Sequence, residues 1–266
     1  MEPLSAYILT CNSEEYLGKI LALIEPIVDE ILVLDSGSAD RTREIAESFT
    51  KVRWQQRALD DFSSQRNYAL AQCAARHVLF LDSDEIPDDE LIQGILRLRQ
   101  EGFSADVYTV QRDWIVLYGK KIHSLYPLST PDFPIRLLDK AKSGYHETSN
   151  LVHETLTGYE SSKVLPGRLR HYTFRTRKEI ARKLKLYSDL AAKDLLMHRK
   201  SLHWLHQAFN PFIAFIKWYF GKGGFKDGRT GLIFAAYAFN YTREKYRKAA
   251  KLAKGEAWRA NHSNLT

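Results

Sequence analysis

The first hundred residues alternate between short apolar runs and amphipathic stretches. Short β-prone runs occupy residues 6–10, 31–34, 52–55 and 78–81. Between them, helix-period spacing covers residues 14–23, 40–49 and 63–74, and it resumes at 88–99. Such alternation predicts an α/β class with a mostly parallel sheet and helices on both faces. The turn Asp35-Ser36-Gly37-Ser38-Ala39-Asp40 follows the second run, and Ser38 or Asp40 is expected to cap the next helix. From residue 106 the pattern changes. Strands are predicted at 107–110, 114–118, 135–138 and 149–152, with Gly, Pro and Ser breaking the chain up to Pro134. This reads as an α+β half joined to the same sheet. After Arg175 the chain turns helical, with Ile180, Leu184, Tyr187 and Ala191 on one face. The expected organisation is therefore a domain over 1–175, with halves 1–105 and 106–175, and a helical extension over 176–266.

Charge sharpens that division. Residues 1–160 carry 16 Lys and Arg against 26 Asp and Glu, a net −10, whereas residues 161–266 carry 23 against 6, a net +17. A basic tail of this kind attracts either nucleic-acid phosphates or an anionic membrane. The tail is rich in aromatic residues around 212–220 and 232–239, flanked by Lys217, Lys222, Lys226 and Arg229. That mixture favours an interfacial helix and a membrane surface, with no nucleic acid as partner. A spanning helix needs roughly 18 uninterrupted apolar residues. The best run, 202–220, is interrupted by His203, His206, Asn210, Pro211 and Lys217. The first ten residues have neither a basic n-region nor an apolar core, so no secretory leader is expected. Cys11 and Cys73 form no CxxC, and two buried thiols in a cytoplasmic protein are expected.

The sharpest chemical feature is Leu79-Phe80-Leu81-Asp82-Ser83-Asp84-Glu85. An apolar strand delivers carboxylates at its carboxyl end, the edge at which open α/β sheets bind ligands. Alternate side chains point the same way, so Asp82 and Asp84 are placed to meet one hard cation bridging to a diphosphate. The plainer reading has these acids capping the helix that starts near Asp88. Asp35, ending the second run, suits a ribose hydroxyl or a nucleobase N–H, or else simply shapes its turn. Arg66 suits a phosphate or an aspartate partner, or else a solvated helix face. Neither a Walker loop nor GxGxxG is present, so a phosphate here calls for a metal rather than a glycine cradle.

Four segments in fixed order carry a resemblance: Thr10-Cys11-Asn12; Ile31 through Asp35-Ser36-Gly37-Ser38-Ala39-Asp40-Arg41-Thr42; Gln65-Arg66-Asn67-Tyr68-Ala69-Leu70; and Phe80-Leu81-Asp82-Ser83-Asp84-Glu85. Together they closely resemble inverting glycosyltransferase family 2. Val152-His153-Glu154, the His171-Tyr172 pair and, more loosely, Gly223 to Gly228 fit its branch of lipopolysaccharide-core sugar transferases. The resemblance implies a GT-A fold, Rossmann-like, with a C-terminal helical extension. It implies transfer of glucose or a similar hexose from a nucleotide-diphosphate sugar, UDP-linked, to a lipid-linked glycan acceptor. Mg²⁺ or Mn²⁺ is the implied cofactor, and the implied location is the inner face of the cytoplasmic membrane, as a peripheral protein.

The resemblance also assigns roles. Asp35 holds the nucleoside, Asp82 touches ribose or metal, and Asp84 is the principal metal ligand. Arg66 and Asn67 order the donor-side loop, and Thr10 and Asn12 line the nucleotide. The branch often has an acid directly after that asparagine. Ser13 stands there instead, with Glu14 as its substitute. Glu154 falls where the family places the catalytic base, Asp132 is the reserve base, and His153 is a further metal or phosphate ligand. Arg136 is assigned to the diphosphate or to acceptor phosphates, with a surface charge as the plainer reading. Two other classes remain open on the residues alone: a metal-dependent nucleotidyltransferase, and a non-catalytic module that binds membrane or nucleic acid.

Overall fold

The computed structural model describes residues 1–125, 128–129, 131–146, 155–197 and 204–262. The predicted strand at 149–152, together with His153 and Glu154, lies outside the described residues. The chain forms two compact units, Met1–Asp113 with Asp132–His171, and Trp114–Pro131 with Tyr172–Thr266.

In the first unit β1 (Leu4–Thr10), α1 (Leu17–Ile24), β2 (Glu30–Asp35), α2 (Thr42–Glu47), β3 (Val52–Gln56), α3 (Phe62–Gln72) and β4 (His77–Asp82) alternate as the apolar pattern predicts. The four strands are parallel in the order β3-β2-β1-β4. β1, β2 and β4 are covered on both faces, which is why their sequences are almost continuously apolar, whereas β3, at the sheet edge, reads Val-Arg-Trp-Gln-Gln and has no buried residue. On one face Tyr7, Leu32, Leu34, Val78 and Phe80 pack against Ala69 and Leu70 of α3 and Cys73 just after it. The alternate residues Ala6, Ile8, Ile31, Val33, Leu79 and Leu81 are buried as well. Burial pushes the Cys73 thiol up to about 12. Cys11, in contrast, is exposed, because it follows β1 into the loop at the strand ends.

The chain continues through β5 (Glu85–Pro87), α4 (Asp89–Glu101) and β6 (Val107–Val116), then β7 (Lys120–Ile122), β8 (Ser124–Leu125) and β9 (Leu128–Ser129). Next come β10 (Ile135–Asp139), the paired β11 (Gly144–His146) and β12 (Thr155–Thr157), and β13 (Ser162–Tyr172). β10 joins β4 antiparallel, and the sheet goes on through β6 and β13 to β5. The predicted break between 110 and 114 is absent: β6 runs unbroken through Gln111-Arg112-Asp113. Of these residues, Arg112 meets Asp132 and Glu85, and Asp113 accepts from Arg168 Nη1 at 3.4 Å.

Two helix starts differ from expectation. Arg41, not Ser38 or Asp40, occupies the cap position of α2 and makes no side-chain cap bond. Ser38 is turned towards Asp35, while Asp40 accepts the Thr42 N–H at 3.0 Å. At α4 the cap is Asp88, which accepts from Leu91 N at 3.0 Å and from Arg168 N at 3.0 Å. The acids Asp82, Asp84 and Glu85 therefore do not cap that helix.

The second unit consists of the end of β6, β7 to β9, and the helices α5 (Arg177–Met197), α6 (Trp204–Ile216) and α7 (Gly228–His262). Trp114, Val116, Ile122 and Leu125 share a core with Phe174, Phe234 and Tyr237, flanked by Ile180 and Leu184. Along α5 the buried positions after Leu184 are Ser188, Ala192 and Leu195, one place on from the expected Tyr187 and Ala191. Ser188 hides this stripe in the sequence. Its hydroxyl donates to Leu184 O at 2.5 Å and accepts from Lys248 Nζ at 2.7 Å, which satisfies it inside the packing. α6 continues through Pro211, so that residue breaks the apolar run and not the helix.

Gly167 faces the α4 cap with φ +81°, and a Cβ there would sit 2.2 Å from Leu91 N. Gly102, with φ +97°, has no atom within 4 Å of its Cβ position. Gly102→Ala therefore carries only backbone strain, about 1–3 kcal/mol. Gly167→Ala adds overpacking against the helix start, at least about 1 kcal/mol more. Urea denaturation of both variants checks the difference. Equal losses would show that the α4 cap yields around the new methyl.

Candidate active site at the carboxyl edge of the sheet

β1, β2 and β4 end level with one another: Thr10 is in register with Asp35, and Leu9 with Asp82. The loops that leave these ends form the site. Asp35 is almost fully buried and uses both oxygens internally. Oδ1 accepts from Thr10 Oγ1 at 3.0 Å and Ser38 Oγ at 2.5 Å; Oδ2 accepts from Gly37 N at 2.9 Å and Ser38 N at 2.7 Å. It is the hub of the 36–38 turn. Asn12, with φ 53°, stitches that turn to the loop after β1: its N–H donates to Ser38 Oγ at 2.8 Å and its Oδ1 accepts from Ala39 N at 2.9 Å. Glu14 accepts from Arg41 N at 3.2 Å, and both side chains face solvent. Ser13 donates its hydroxyl to Ser83 at 2.8 Å, which ties this loop to the acidic segment.

The acidic segment is held by arginines. Glu85 is fully buried and receives Arg136 Nε at 2.6 Å, Arg136 Nη2 at 2.6 Å and Arg112 Nη1 at 2.8 Å. Asp82 meets Arg66 Nη2 at 2.9 Å through one oxygen and Arg136 Nη2 at 3.1 Å through the other. Arg112 also donates to Asp132 at 2.8 Å. Burial alone would raise the Asp82 and Glu85 carboxyls. The guanidiniums outweigh it, holding Asp82 well below the usual carboxylate range and Glu85 down to about 2. Arg136 is likewise raised, because the charges of Glu85 and Asp82 override its own burial.

Local structure explains how Arg136 gets there. Ile135 pairs with Thr109 and Leu137 with Tyr108, so a bulge in β10 falls at Arg136. Bulges re-aim a side chain, and this one accompanies a side chain that reaches Glu85. Arg136 is 6% exposed and not a surface charge. Its guanidinium and that of Arg66 lie over the Phe80 ring, at 5.1 and 5.3 Å. Arg66 is buried as well, so the aspartate-partner reading of that residue describes its contact with Asp82. Asn67 pairs with the backbone of Tyr145 as a strand would, donating to O at 2.8 Å and accepting from N at 2.9 Å.

Asp84 differs from its neighbours. Its side chain is 38% exposed and its partner is an imidazole: His171 Nε2 lies 3.2 Å from Oδ2. Pairing of β13 with β5 sets His171 opposite Glu85 and so beside Asp84. A hard or borderline divalent cation accepts carboxylate oxygen and imidazole nitrogen, and this pair offers one of each. The residues therefore fit a cation at Asp84 and His171, while both Asp82 oxygens are engaged by guanidiniums. Among the described residues no three metal-type side chains converge. His171, Glu85 and Arg112 are the members of the site to which the sequence reading gave no role. Polar residues in the middle of the apolar strand β6 were the available signal for Arg112.

Residues 5–155, more than half of the chain, match the profile described as "Glycosyl transferase family 2". Over 264 residues the chain is 28% identical to the lipopolysaccharide core biosynthesis glycosyltransferase LpsC of Rhizobium meliloti (strain 1021), covering 95% of each. It is 26% identical over 292 residues to an uncharacterized glycosyltransferase of Rickettsia felis, covering 99% of this chain and 98% of that one. Among solved structures, S. aureus TarS 1-349 in complex with UDP-GlcNAc aligns with 95% of this chain and 92% of its own, at 16% identity and a TM-score of 0.50, a likeness of fold alone. With that profile matched along a GT-A sheet whose strand ends carry the acidic motif, the chain belongs to glycosyl transferase family 2.

Proposed function

We propose that the protein is a metal-dependent, inverting glycosyltransferase that moves glucose or a similar hexose from a UDP-linked donor to a lipopolysaccharide-core or other lipid-linked glycan. The observation that carries the reading is the state of Asp84: partly exposed at the strand edge and beside His171, while Asp82 and Glu85 are locked by arginines. Three carboxylates, Asp82, Glu85 and Asp132, are matched by Arg66, Arg112 and Arg136. That lattice is formally neutral, so Asp84 adds net negative charge where an anionic diphosphate must rest. A cation is the natural complement. Similarity to LpsC, named for lipopolysaccharide core biosynthesis, supports the acceptor class.

When bound, Mg²⁺ or Mn²⁺ supplies Lewis-acid charge that offsets the negative charge built on the leaving diphosphate. Asp84 and His171 would hold it, with His153 as a further donor. Asp82, Arg66, Arg136 and Glu85 fix the loop from which Asp84 projects. Asp35 and Asn12 act on the nucleoside through the turns they brace, alongside Thr10 and Glu14, and Asn67 holds the β11 segment. Glu154 takes the proton of the acceptor hydroxyl on the face opposite the leaving group, and this single displacement inverts the anomeric centre. Asp132, the reserve base, is already engaged by Arg112 at 2.7 Å, which makes Glu154 the first choice. Residues 1–175 form the catalytic part, and 176–266 associate with the anionic inner face of the cytoplasmic membrane. No helix among the described residues is long and apolar enough to cross a membrane.

Purified protein incubated with a panel of sugar nucleotides and Mn²⁺ or Mg²⁺ is expected to release nucleoside diphosphate from a UDP-hexose. In Asp84→Asn, transfer falls at least about a hundredfold, since charge stabilisation of the leaving group is worth several kcal/mol. Stability changes by no more than about 0.5 kcal/mol, because the side chain is partly exposed. Turnover and urea denaturation on the same sample check both, and near-normal turnover would remove the metal role.

Glu154→Gln should lower kcat strongly and leave donor affinity nearly unchanged, since a base acts on the acceptor in the transition state. Comparable losses in nucleotide binding and in turnover would make Glu154 a donor or metal ligand instead.

Glu85→Gln tests the scaffold. It leaves buried Arg136 without its full counter-charge, at a cost of about 3–5 kcal/mol at neutral pH. The Glu85 carboxyl is depressed in the folded state, so its stabilisation is present above its unfolded value of about 4.3 and lost as pH falls towards 2. The stability gap between wild type and variant is therefore expected to shrink between about pH 5 and pH 2. A gap that stays constant over this range would show that the carboxylate charge does not carry the effect.

A further inference from the structure

α6 presents an apolar face to solvent. Phe209, Phe212, Ile213 and Ile216 are each more than half exposed, and Phe220, in the π-helical turn Lys217–Gly221, is 60% exposed. Spacings of three and four residues put them on one side of the helix. The opposite side is occupied: Pro211 and Trp218 are buried, and Asn210 donates to Tyr246 of α7 at 2.7 Å. The order of faces is the reverse of an ordinary surface helix, in which the apolar stripe turns inward. Large apolar patches on a soluble surface mark an interaction site.

Charge decides which partner the patch fits. Lys217, Lys222 and Lys226 follow the stripe directly and are exposed, and Arg229 opens α7 nearby in sequence. No acid lies between Trp204 and Lys226, and residues 161–266 carry a net +17. A second copy of this chain would bring the same cations against these, whereas an anionic lipid surface complements them. The rigid, exposed aromatics also suit the headgroup boundary.

We infer that α6 lies in the plane of an anionic bilayer with Phe209, Phe212, Ile213, Ile216 and Phe220 inserted among the headgroups. Lys217, Lys222 and Lys226 hold the helix at that depth. The inference rests on the peripheral-membrane part of the proposed function and assigns it to one helix face. Trp218 takes no part in the insertion, since that ring is buried, and Phe215 and Tyr219 stack on each other at 5.6 Å.

The test compares three full-length proteins for sedimentation with vesicles containing phosphatidylglycerol, against vesicles of phosphatidylcholine alone. Wild type is expected to bind the anionic vesicles. Phe209→Ser/Ile213→Ser/Ile216→Ser should lose affinity at least about a hundredfold, with roughly tenfold per inserted side chain, at low and at high salt. Lys217→Glu/Lys222→Glu/Lys226→Glu should lose mainly the salt-sensitive part of binding. Circular dichroism and donor-sugar hydrolysis establish that each variant is folded. If the folded serine variant binds vesicles as wild type does, the insertion of α6 is overturned while membrane association stands. If wild type binds no vesicles, the peripheral-membrane reading itself fails. If wild type is a dimer by light scattering, the serine variant a monomer and vesicle binding equal, the face is a contact between copies and the inference is overturned.

Discussion

The buried pair Glu85–Arg136 is the constraint around which the acidic edge is organised. A fully buried carboxylate costs several kcal/mol of lost hydration unless its oxygens are matched by charged donors. Glu85 meets that condition with three close guanidinium contacts from two arginines. The requirement propagates outward. β10 bulges at Arg136, β6 admits Arg112 into an apolar strand, and Arg136 and Arg66 both reach Asp82. Phe80 beneath the two guanidiniums closes the lattice from the core side, with its ring stacked on Tyr7 at 5.5 Å. In a motif of two aspartates and a glutamate, two acids are thus structural and one faces outward. Replacing the lattice by apolar residues could satisfy the core equally well. It would not leave Asp84 on a loop whose neighbours are immobilised on both sides.

The Asp35 side of the edge is built on a second hub of the same kind, made with neutral donors. Asp35 accepts two hydroxyls and two backbone N–H groups, so the turn after β2 is fixed without any cation. Asn12 and Ser13 extend this order to the loop after β1, and the Ser13–Ser83 contact joins the two hubs. Ser13 makes that link through its hydroxyl, so the two loops are tied there without a further charge.

Much of the fold was legible because the parallel strands are buried on both faces, and such strands have a plain apolar signature. The alternation placed β1 to β4 and α1 to α4 within a few residues and put Asp35 and Asp82 at strand ends. What escaped was set by tertiary partners. The α5 stripe passes through Ser188, a polar residue satisfied by Leu184 and Lys248. β6 continues through three polar residues, of which Arg112 meets the carboxylates of Asp132 and Glu85. For Arg136 the sequence offers a phosphate contact or a surface charge, and its contact with Glu85 emerges only with the bulge. His171 lies 87 residues from Asp84, and only the pairing of β13 with β5 makes them neighbours. Sequence order carries no trace of that pairing, so the resemblance could mark His171 without giving it a task.

The same physics separates the acids of the edge by what they can do at neutral pH. A carboxylate bound to two guanidiniums has its charge already compensated, so a cation gains less there than at an uncompensated acid. Asp82 is in that position, with one oxygen on Arg66 and the other on Arg136. A cation at Asp84 displaces only water and the contact with a single imidazole, whose nitrogen is itself a donor to metals. Binding there also leaves the contacts of Arg66 and Arg136 with Asp82 in place. On the proposed function, then, these arginines act on the donor indirectly, by fixing the geometry of the loop that bears Asp84. On the same proposal, a cation at Asp84 is what offsets the charge of the diphosphate.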